Sequence, residues 1–259
     1  MILLASDFDG TLYQNERVSE YDIGMIKKWR GAGNAFIVAT GRDRFSFDML
    51  KGELPDDLFD GYVLAGGAYV YDKEGKMVHS SAGDGSYIPQ LCQTIYQLGG
   101  RDVYVSAGRE VRITISPDGK SSQLTDFHDA TEITFDEVVP ISEFHFMGTY
   151  FPTAEITLRF AEVMAERFAG KFVAHPHGSW CDVAPVGISK ESGIAAFLAT
   201  MPTQPREVLT AGDNYNDISM LAAYRGYAML GAPAPVVAAA QRRTAKCVGD
   251  IIVEWMGCG

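Results

Sequence analysis

The chain has 259 residues and a formal net charge of −11, from 33 acidic and 22 basic side chains. This excess of acids disfavours nucleic acid or an anionic membrane as a partner, because both are bound through Lys and Arg that neutralise phosphates. Hydrophobic residues make up 47% of the chain, which is enough for a large core, but no apolar run is long enough to span a membrane. No basic region precedes Ile2, so we expect no signal peptide.

The cysteines Cys92, Cys181, Cys247 and Cys258 are scattered and form no CxxC pair. In a chain of this size, they indicate reduced thiols in a cytoplasmic protein rather than a disulfide framework or a zinc site. The segment 175–177, His-Pro-His, offers two possible metal ligands without a third nearby, so we do not interpret it as a metal site.

The first third of the chain predicts a βαβαβ pattern. Residues 2–5, 35–39 and 61–65 are continuously apolar, which is typical of parallel strands that are covered on both faces. A helix is predicted to begin after Ser19, which can cap it together with Asp22, and to end at Gly31 and Gly33. A second helix is predicted near 43–51, and residues 68–78 have the pattern of a small hairpin.

The pattern changes from residue 82 onwards. Residues 103–105, 111–115 and 144–150 alternate between apolar and polar side chains, which predicts half-buried antiparallel strands. Helical periodicity is found near 86–98 and 153–168. These features predict an α+β domain that differs in kind from the first third.

The parallel pattern returns after Pro185. A helix is predicted from Lys190, followed by a buried strand at 207–211, a helix near 216–224 and a strand at 227–230. We therefore predict an α/β fold. Its core, residues 1–81 and 186–259, is a Rossmann-like parallel sheet with helices on both faces, and an α+β cap domain with an antiparallel sheet is inserted at 82–185.

Polar side chains follow the predicted core strands. Asp7 and Asp9 come after the first strand, Thr40 after the second and Asp213 after the strand at 207–211. If the first strand continues through Asp7 and Asp9, their carboxylates share a face and repel each other, unless a cation or a shared proton intervenes. The carboxyl ends of parallel strands form one ligand crevice, so these side chains are expected to meet there.

This arrangement predicts a magnesium and phosphate site. Carboxylate oxygens are ligands that Mg²⁺ prefers, and Mg²⁺ commonly accompanies phosphate substrates. Thr40 offers a hydroxyl, and Gly41 lets its backbone come close to an anion. Lys190, at a predicted helix start, can supply a positive charge.

The sequence resembles the haloacid dehalogenase-like (HAD) phosphatases, and among them the Cof-type sugar-phosphatase branch with a large inserted cap. Four motifs carry the resemblance, in the order that the family has them: Asp7-Phe8-Asp9-Gly10-Thr11, Thr40-Gly41-Arg42, Lys190 and Gly212-Asp213-Asn214-Tyr215-Asn216-Asp217. The sequence departs from many members after the third strand, where Ala65-Gly66-Gly67-Ala68 stands in place of an Asn-Gly-Ala pattern. The resemblance covers the whole chain.

The resemblance implies a phosphatase for small phosphorylated metabolites, sugar phosphates among them. Asp7 would be the nucleophile that forms an aspartyl phosphate, and Asp9 would be the general acid and base. Mg²⁺ would be held by Asp7, the backbone carbonyl of Asp9 and Asp213.

The resemblance also assigns the remaining site residues. Thr40, the Gly41 backbone, Lys190 and Asn216 would hold the phosphoryl group. Asp217 would orient Lys190 or a metal-bound water, although a helix cap is an equally good interpretation from the residues alone.

Three other functions use similar residues. A phosphomutase would form the same aspartyl phosphate and return the phosphoryl group to its substrate. A phospho-accepting receiver domain also combines acids, Thr and Lys, but it places its acceptor after a middle strand and needs no inserted domain. An inert binding domain is disfavoured by the intact set of acids.

Overall fold

The computed structural model describes residues 1–52, 54–107, 111–117, 119, 130–137 and 141–257. The chain divides into two compact units, Met1–Ser80 with Ser189–Gly259, and Ser81–Ile188. The second unit is thus an insertion in the first along the chain, and its role as a cap stays a prediction. Among the described residues, no helix has both the length and the apolar character that a membrane crossing requires.

The elements of the first unit before the insertion are β1 (Leu3–Ser6), β2 (Tyr13–Gln14), β3 (Arg17–Val18), α1 (Glu20–Gly31), β4 (Ala35–Ala39), α2 (Arg44–Lys51), β5 (Gly61–Leu64), β6 (Tyr69–Asp72) and β7 (Met77–Ser80). The inserted unit contains β8 (Gly83–Asp84), α3 (Ile88–Gln97), β9 (Val103–Ala107), β10 (Val111–Ser116), β11 (Thr131–Thr134), β12 (Glu143–Tyr150), α4 (Ala154–Arg167), β13 (Phe172–His177) and β14 (Trp180–Pro185). The first unit then continues with α5 (Lys190–Thr200), β15 (Val208–Gly212), α6 (Ile218–Ala223), β16 (Arg225–Met229), α7 (Ala234–Ala239), β17 (Thr244–Ala245) and α8 (Val248–Met256).

The sheet of the first unit has the strand order β17-β16-β15-β1-β4-β5-β6-β7. Strand β1 lies between β15 and β4 and is parallel to both. Leu3 and Ala5 pack with Ile194 and Phe197 of α5 on one face, while α1 and α8 contact each other and α1 contacts β4. The predicted fold class, a parallel sheet with helices on both faces and a second antiparallel sheet, is confirmed.

Helix α1 forms as its sequence predicts. The Ser19 side chain accepts the backbone N–H of Asp22 and caps the first turn, and such a cap stabilises a helix by about 1 kcal/mol. Met25, Ile26 and Trp29 form its buried stripe. Trp29 also donates its indole N–H to the Ala35 carbonyl at 2.9 Å, which fixes α1 beside β4.

The β2–β3 hairpin is not apparent from the sequence. Each strand has two residues, which is too short for a periodic pattern. Its turn residues Asn15 and Glu16 have positive φ angles of 52° and 60°, and the Tyr13 ring stacks on Phe8 with centroids 5.1 Å apart. The hairpin therefore packs against the segment between Asp7 and Asp9.

The sheet of the second unit has the order β11-β10-β9-β12-β14-β13, with β8 paired to one end of β12. Helices α3 and α4 pack on one face, where Leu91, Ile95, Phe160 and Met164 belong to one core cluster. Three expectations were wrong. Strand β9 is buried along its whole length, and β12 is buried except at its two ends, rather than half-buried. Strand β10 pairs with the unpredicted β11 in parallel orientation.

Candidate active site

Asp7 lies directly after β1, and the backbone still pairs with β15 at this point. Its N–H donates to the Ala211 carbonyl at 2.8 Å, and its side chain is only 7% exposed. Strand β1 itself ends at Ser6, so the strand does not continue through Asp7 and Asp9. The shared strand face considered for these two carboxylates is therefore absent.

Lys190 is the first residue of α5 and is buried with its charge paired. Ser189 caps this helix with a reciprocal bond to Ser192, which places the lysine at the helix start. The Nζ atom donates to Oδ1 of Asp7 and to Oδ1 of Asp217, both at 2.6 Å. Burial acts to lower the pKa of Lys190, but the charges of Asp217 and Asp7 outweigh it and raise that pKa, so the ammonium stays charged.

Asp217 holds the lysine and the loop after β15 at the same time. Its Oδ2 accepts the backbone N–H groups of Asp213 and Asn214, both at 2.9 Å. The side chain is completely buried, and Gly212 makes room for it, because a Cβ there would lie 2.5 Å from the Asp217 Cβ. One oxygen of Asp217 thus pairs with the lysine, and the other closes the turn before α6. The helix-cap interpretation is wrong, because Asp217 precedes α6 without a side-chain capping bond.

Asp213 completes a cluster of three carboxylates. Asp7, Asp213 and Asp217 each offer an oxygen, and these oxygens lie within 4.8 Å of one another. The Thr11 hydroxyl donates to Oδ1 of Asp213 at 3.0 Å. Gly10 has a φ of +82°, and a Cβ on it would lie 2.5 Å from Oδ2 of Asp213, so this close approach requires glycine.

The charges of this cluster indicate that it suits a cation. Burial raises the pKa of Asp7 well above its usual value, although Lys190 opposes the effect. Burial and the Asp217 charge also raise the pKa of Asp213. Carboxylates this close repel each other unless a cation or a shared proton lies between them. A hard divalent cation such as Mg²⁺ fits this all-oxygen set.

The predicted phosphate-binding residues lie in loops on either side of Asp7. Thr40 is buried after β4, with its N–H donating to Val63 at 2.9 Å, and half-buried Gly41 follows it. Asn216 is half-buried in the turn Tyr215–Asp217 that follows β15. Because β4 and β15 both flank β1, these loops belong to the same sheet edge as Asp7.

Asp9 lies outside the carboxylate cluster and pairs with Arg42. The Nε of Arg42 donates to Oδ2 of Asp9 at 2.7 Å, and its Nη2 donates to Oδ1 at 2.8 Å. The side chains are 45% exposed for Asp9 and 32% for Arg42. Arg42 is part of a motif recognised in the sequence, but no role was predicted for it. Its place directly after Gly41 is the signal that could have indicated one.

The loop after β5 brings the start of α5 into place. Ala65, Gly66 and Gly67 all have positive φ angles, of 50°, 65° and 110°. A Cβ on Gly67 would lie 1.9 Å from the carbonyl oxygen of Ser189, so a side chain there would displace the residue before Lys190. This close approach accounts for glycine at position 67.

A family model described as haloacid dehalogenase-like hydrolase matches residues 4–254. The chain therefore belongs to the haloacid dehalogenase-like hydrolases, as its motifs predicted.

Solved structures with the same fold cover nearly the whole chain. A HAD subclass IIB sugar phosphatase is 22% identical, with a TM-score of 0.81 and coverage of 99% of each chain. A HAD/COF-like hydrolase from Plasmodium vivax is 18% identical, with a TM-score of 0.82 over 99% of this chain and 96% of the other. A protein described in work on a phosphoryl-transfer superfamily is 21% identical, with a TM-score of 0.79 and coverage of 98% of each chain. At these identities the likeness concerns the fold.

One curated relative is a longer protein, the chloroplastic endoribonuclease YBEY of Arabidopsis thaliana. It is 23% identical over an alignment of 231 positions that covers 83% of this chain and 39% of the relative. The chain thus spans about two fifths of that protein's length, and the name describes the longer protein.

Proposed function

We propose that this chain is a magnesium-dependent phosphatase that hydrolyses small phosphorylated metabolites through an aspartyl phosphate on Asp7. The observation that carries the proposal is the buried Lys190, which bonds Asp7 and Asp217 beside the third carboxylate of Asp213. Buried charges are costly, and an arrangement with surplus carboxylates is typical of a site that does chemistry. Membership of a hydrolase family supports the same conclusion.

In the first step, an Asp7 oxygen attacks phosphorus and the bond to the leaving-group oxygen breaks. The hydrogen bond from Lys190 to Oδ1 orients the carboxylate and offsets the negative charge that a phosphate brings. Asp9 gives a proton to the leaving oxygen, so the substrate leaves as an alcohol and the phosphoryl group stays on Asp7.

In the second step, water hydrolyses the aspartyl phosphate. Asp9 accepts a proton from the attacking water, the bond between phosphorus and the Asp7 oxygen breaks, and inorganic phosphate is released. Asp7 returns to its carboxylate form and Asp9 to its acid form. Thr40, the Gly41 backbone and Asn216 hold the phosphoryl oxygens in both steps.

Asp7, Asp213 and the backbone carbonyl of Asp9 would hold Mg²⁺. When bound, the ion supplies positive charge that stabilises negative charge on the phosphoryl oxygens. The need for it follows from the side chains, because among the described residues the four carboxylates of Asp7, Asp9, Asp213 and Asp217 are accompanied by two cations, Lys190 and Arg42. A phosphate dianion would otherwise enter a site with excess negative charge.

Sugar phosphates are the substrate class that we propose, and the second unit is the domain that we propose selects among them. The resemblance to the Cof-type branch supports both statements. The described cysteines Cys92, Cys181 and Cys247 are free thiols, which supports a cytoplasmic protein.

A phosphate-release screen tests the function. The full-length protein with Mg²⁺ is incubated with a panel of phosphorylated sugars, nucleotides and cofactors, and free phosphate is measured. We expect many equivalents of phosphate per enzyme from at least one sugar phosphate. Release of a single equivalent would instead support a receiver, and conversion to an isomeric sugar phosphate without phosphate release would support a phosphomutase.

A further inference from the structure

Arg42 is bonded to the carboxylate of Asp9, the residue that we propose transfers protons. Both carboxylate oxygens of Asp9 accept hydrogen bonds from one guanidinium, at 2.7 and 2.8 Å. A general acid needs one of its oxygens directed at the leaving group within hydrogen-bond reach. While both oxygens accept bonds from Arg42, Asp9 is a carboxylate without a proton to give, so the pair must open at least partly before Asp9 can act as a general acid.

The surroundings of Arg42 fix its backbone while its side chain reaches solvent. Its N–H donates to the Thr40 hydroxyl at 3.1 Å, and its carbonyl accepts the Ala65 N–H at 2.7 Å. Its guanidinium is 32% exposed, and an ion pair as exposed as this one contributes little to stability. The side chain can therefore exchange partners without moving the loop that carries Thr40.

A phosphate dianion is a suitable competing partner. The planar fork of a guanidinium binds phosphate and carboxylate in the same bidentate manner. Arg42 and Asp9 both follow strands that are direct neighbours, since β4 pairs with β1. Lys190 is buried between two carboxylates, whereas the Arg42 side chain is partly exposed and can turn towards a dianion that arrives beside Asp7.

We infer that Arg42 is a substrate-contacting residue that is exchanged between two partners: it holds Asp9 in the empty site and binds the phosphoryl group of the substrate in the occupied site. The exchange releases a carboxylate oxygen of Asp9 only when a phosphoryl group is present. Proton transfer is thereby coupled to substrate binding. This inference rests on the proposed phosphatase function.

Phosphate affinity tests whether Arg42 contacts the anion. Inorganic phosphate is titrated calorimetrically into the full-length protein with saturating Mg²⁺, comparing Asp9→Asn with the double variant Asp9→Asn/Arg42→Met. In the Asp9→Asn background Arg42 has lost its carboxylate partner. We expect the double variant to bind phosphate on the order of tenfold more weakly, as loss of a charge-assisted bond implies.

Two further variants control for charge and folding. Arg42→Lys keeps the charge but not the fork, so in the same background it should retain part of the affinity. Arg44→Met removes the neighbouring arginine, which pairs with Asp48 on α2, and should leave phosphate affinity unchanged. Circular dichroism confirms that each variant is folded.

A crystal structure with Mg²⁺ and phosphate tests the exchange itself. We expect Arg42 on the phosphate oxygens and at least one Asp9 oxygen released. Equal phosphate affinity of Asp9→Asn and its Arg42→Met double variant, or a phosphate complex in which Arg42 still binds both Asp9 oxygens, overturns the inference but leaves the phosphatase proposal intact. If the wild-type protein binds no phosphate and releases none in the screen, both fail.

Discussion

The two units bury different kinds of polar cluster. In the second unit, the hydroxyls of Thr149 and Thr157 donate to backbone carbonyls, at 2.8 and 3.1 Å. In the first unit, Lys190, Asp7 and Asp217 form a buried charged network. Hydrogen-bonded hydroxyls cost little to bury, whereas buried charges must be paired to be tolerated. The difference supports the proposal that the chemistry resides in the first unit, at the ends of its parallel strands.

Replacing one carboxylate by an amide in each unit should give the largest difference in turnover between two variants. Asp7→Asn keeps a hydrogen-bond acceptor for Lys190 but removes the proposed nucleophile, so turnover should fall by roughly 10⁴-fold or more. Asp84→Asn changes an exposed acid of the second unit that accepts the Ser86 N–H, and turnover should stay near the wild-type value. Steady-state phosphate release measures both. Wild-type activity in Asp7→Asn would contradict the assignment of the nucleophile.

Removing one cationic side chain from each unit should show that a buried charge contributes more to stability than an exposed one. Lys190→Met leaves Asp7 and Asp217 buried without a counter-charge, so the free energy of unfolding of the metal-free protein should fall by about 3–5 kcal/mol. Arg167→Met removes an exposed side chain that donates to Thr94 at 3.1 Å, and the loss should be about 0.5 kcal/mol or less. Urea titration measures both, and similar losses would show that the network is not stabilising.

Removal of Mg²⁺ by a chelator should affect the proposed metal site, which lies in the first unit alone. EDTA should stop hydrolysis and Mg²⁺ should restore it. Burial raises the pKa values of Asp7 and Asp213 in the folded protein. These two groups therefore stabilise the folded state at pH values below 3.8, which is their usual pKa. That stabilisation is lost as the pH rises through the raised pKa values. Thermal denaturation should therefore show a larger Mg²⁺-induced rise in Tm at neutral than at mildly acidic pH; activity that survives EDTA would contradict the metal site.

The sequence predicts the first unit better than the second. Apolar strands, the Ser19 cap and the glycine turns are local signals, and the first unit's strands and helices follow them, except for the short strands β2 and β3. In β9, Tyr104 and Ser106 alternate with valines, yet all are buried, because burial depends on tertiary packing that a local period does not encode. The Arg42–Asp9 pair was missed for a similar reason, since two loops 33 positions apart in sequence meet only in the folded chain.

Two glycines with positive φ angles offer the finest contrast between the units. Gly10 has a φ of +82°, and an added Cβ would lie 2.5 Å from the Asp213 carboxylate, whereas Gly178, with a φ of +58° in the second unit, has no atom within 4 Å of its added Cβ. Gly178→Ala should therefore cost only the backbone strain, about 1 kcal/mol. Gly10→Ala adds a collision, so its loss of stability should reach about 2–3 kcal/mol.

Activity measurements should also distinguish these two glycine variants, because the Cβ added at Gly10 would collide with Asp213, a proposed metal ligand. Gly10→Ala should displace the Asp213 carboxylate from Asp7, and the Mg²⁺ concentration needed for half-maximal phosphate release should rise severalfold, on the scale of a perturbed metal ligand. Gly178→Ala should leave that concentration unchanged, since strain at an open turn moves no carboxylate. If both variants lose stability equally and neither shifts the Mg²⁺ requirement, the close approach of Gly10 to Asp213 has no part in metal binding.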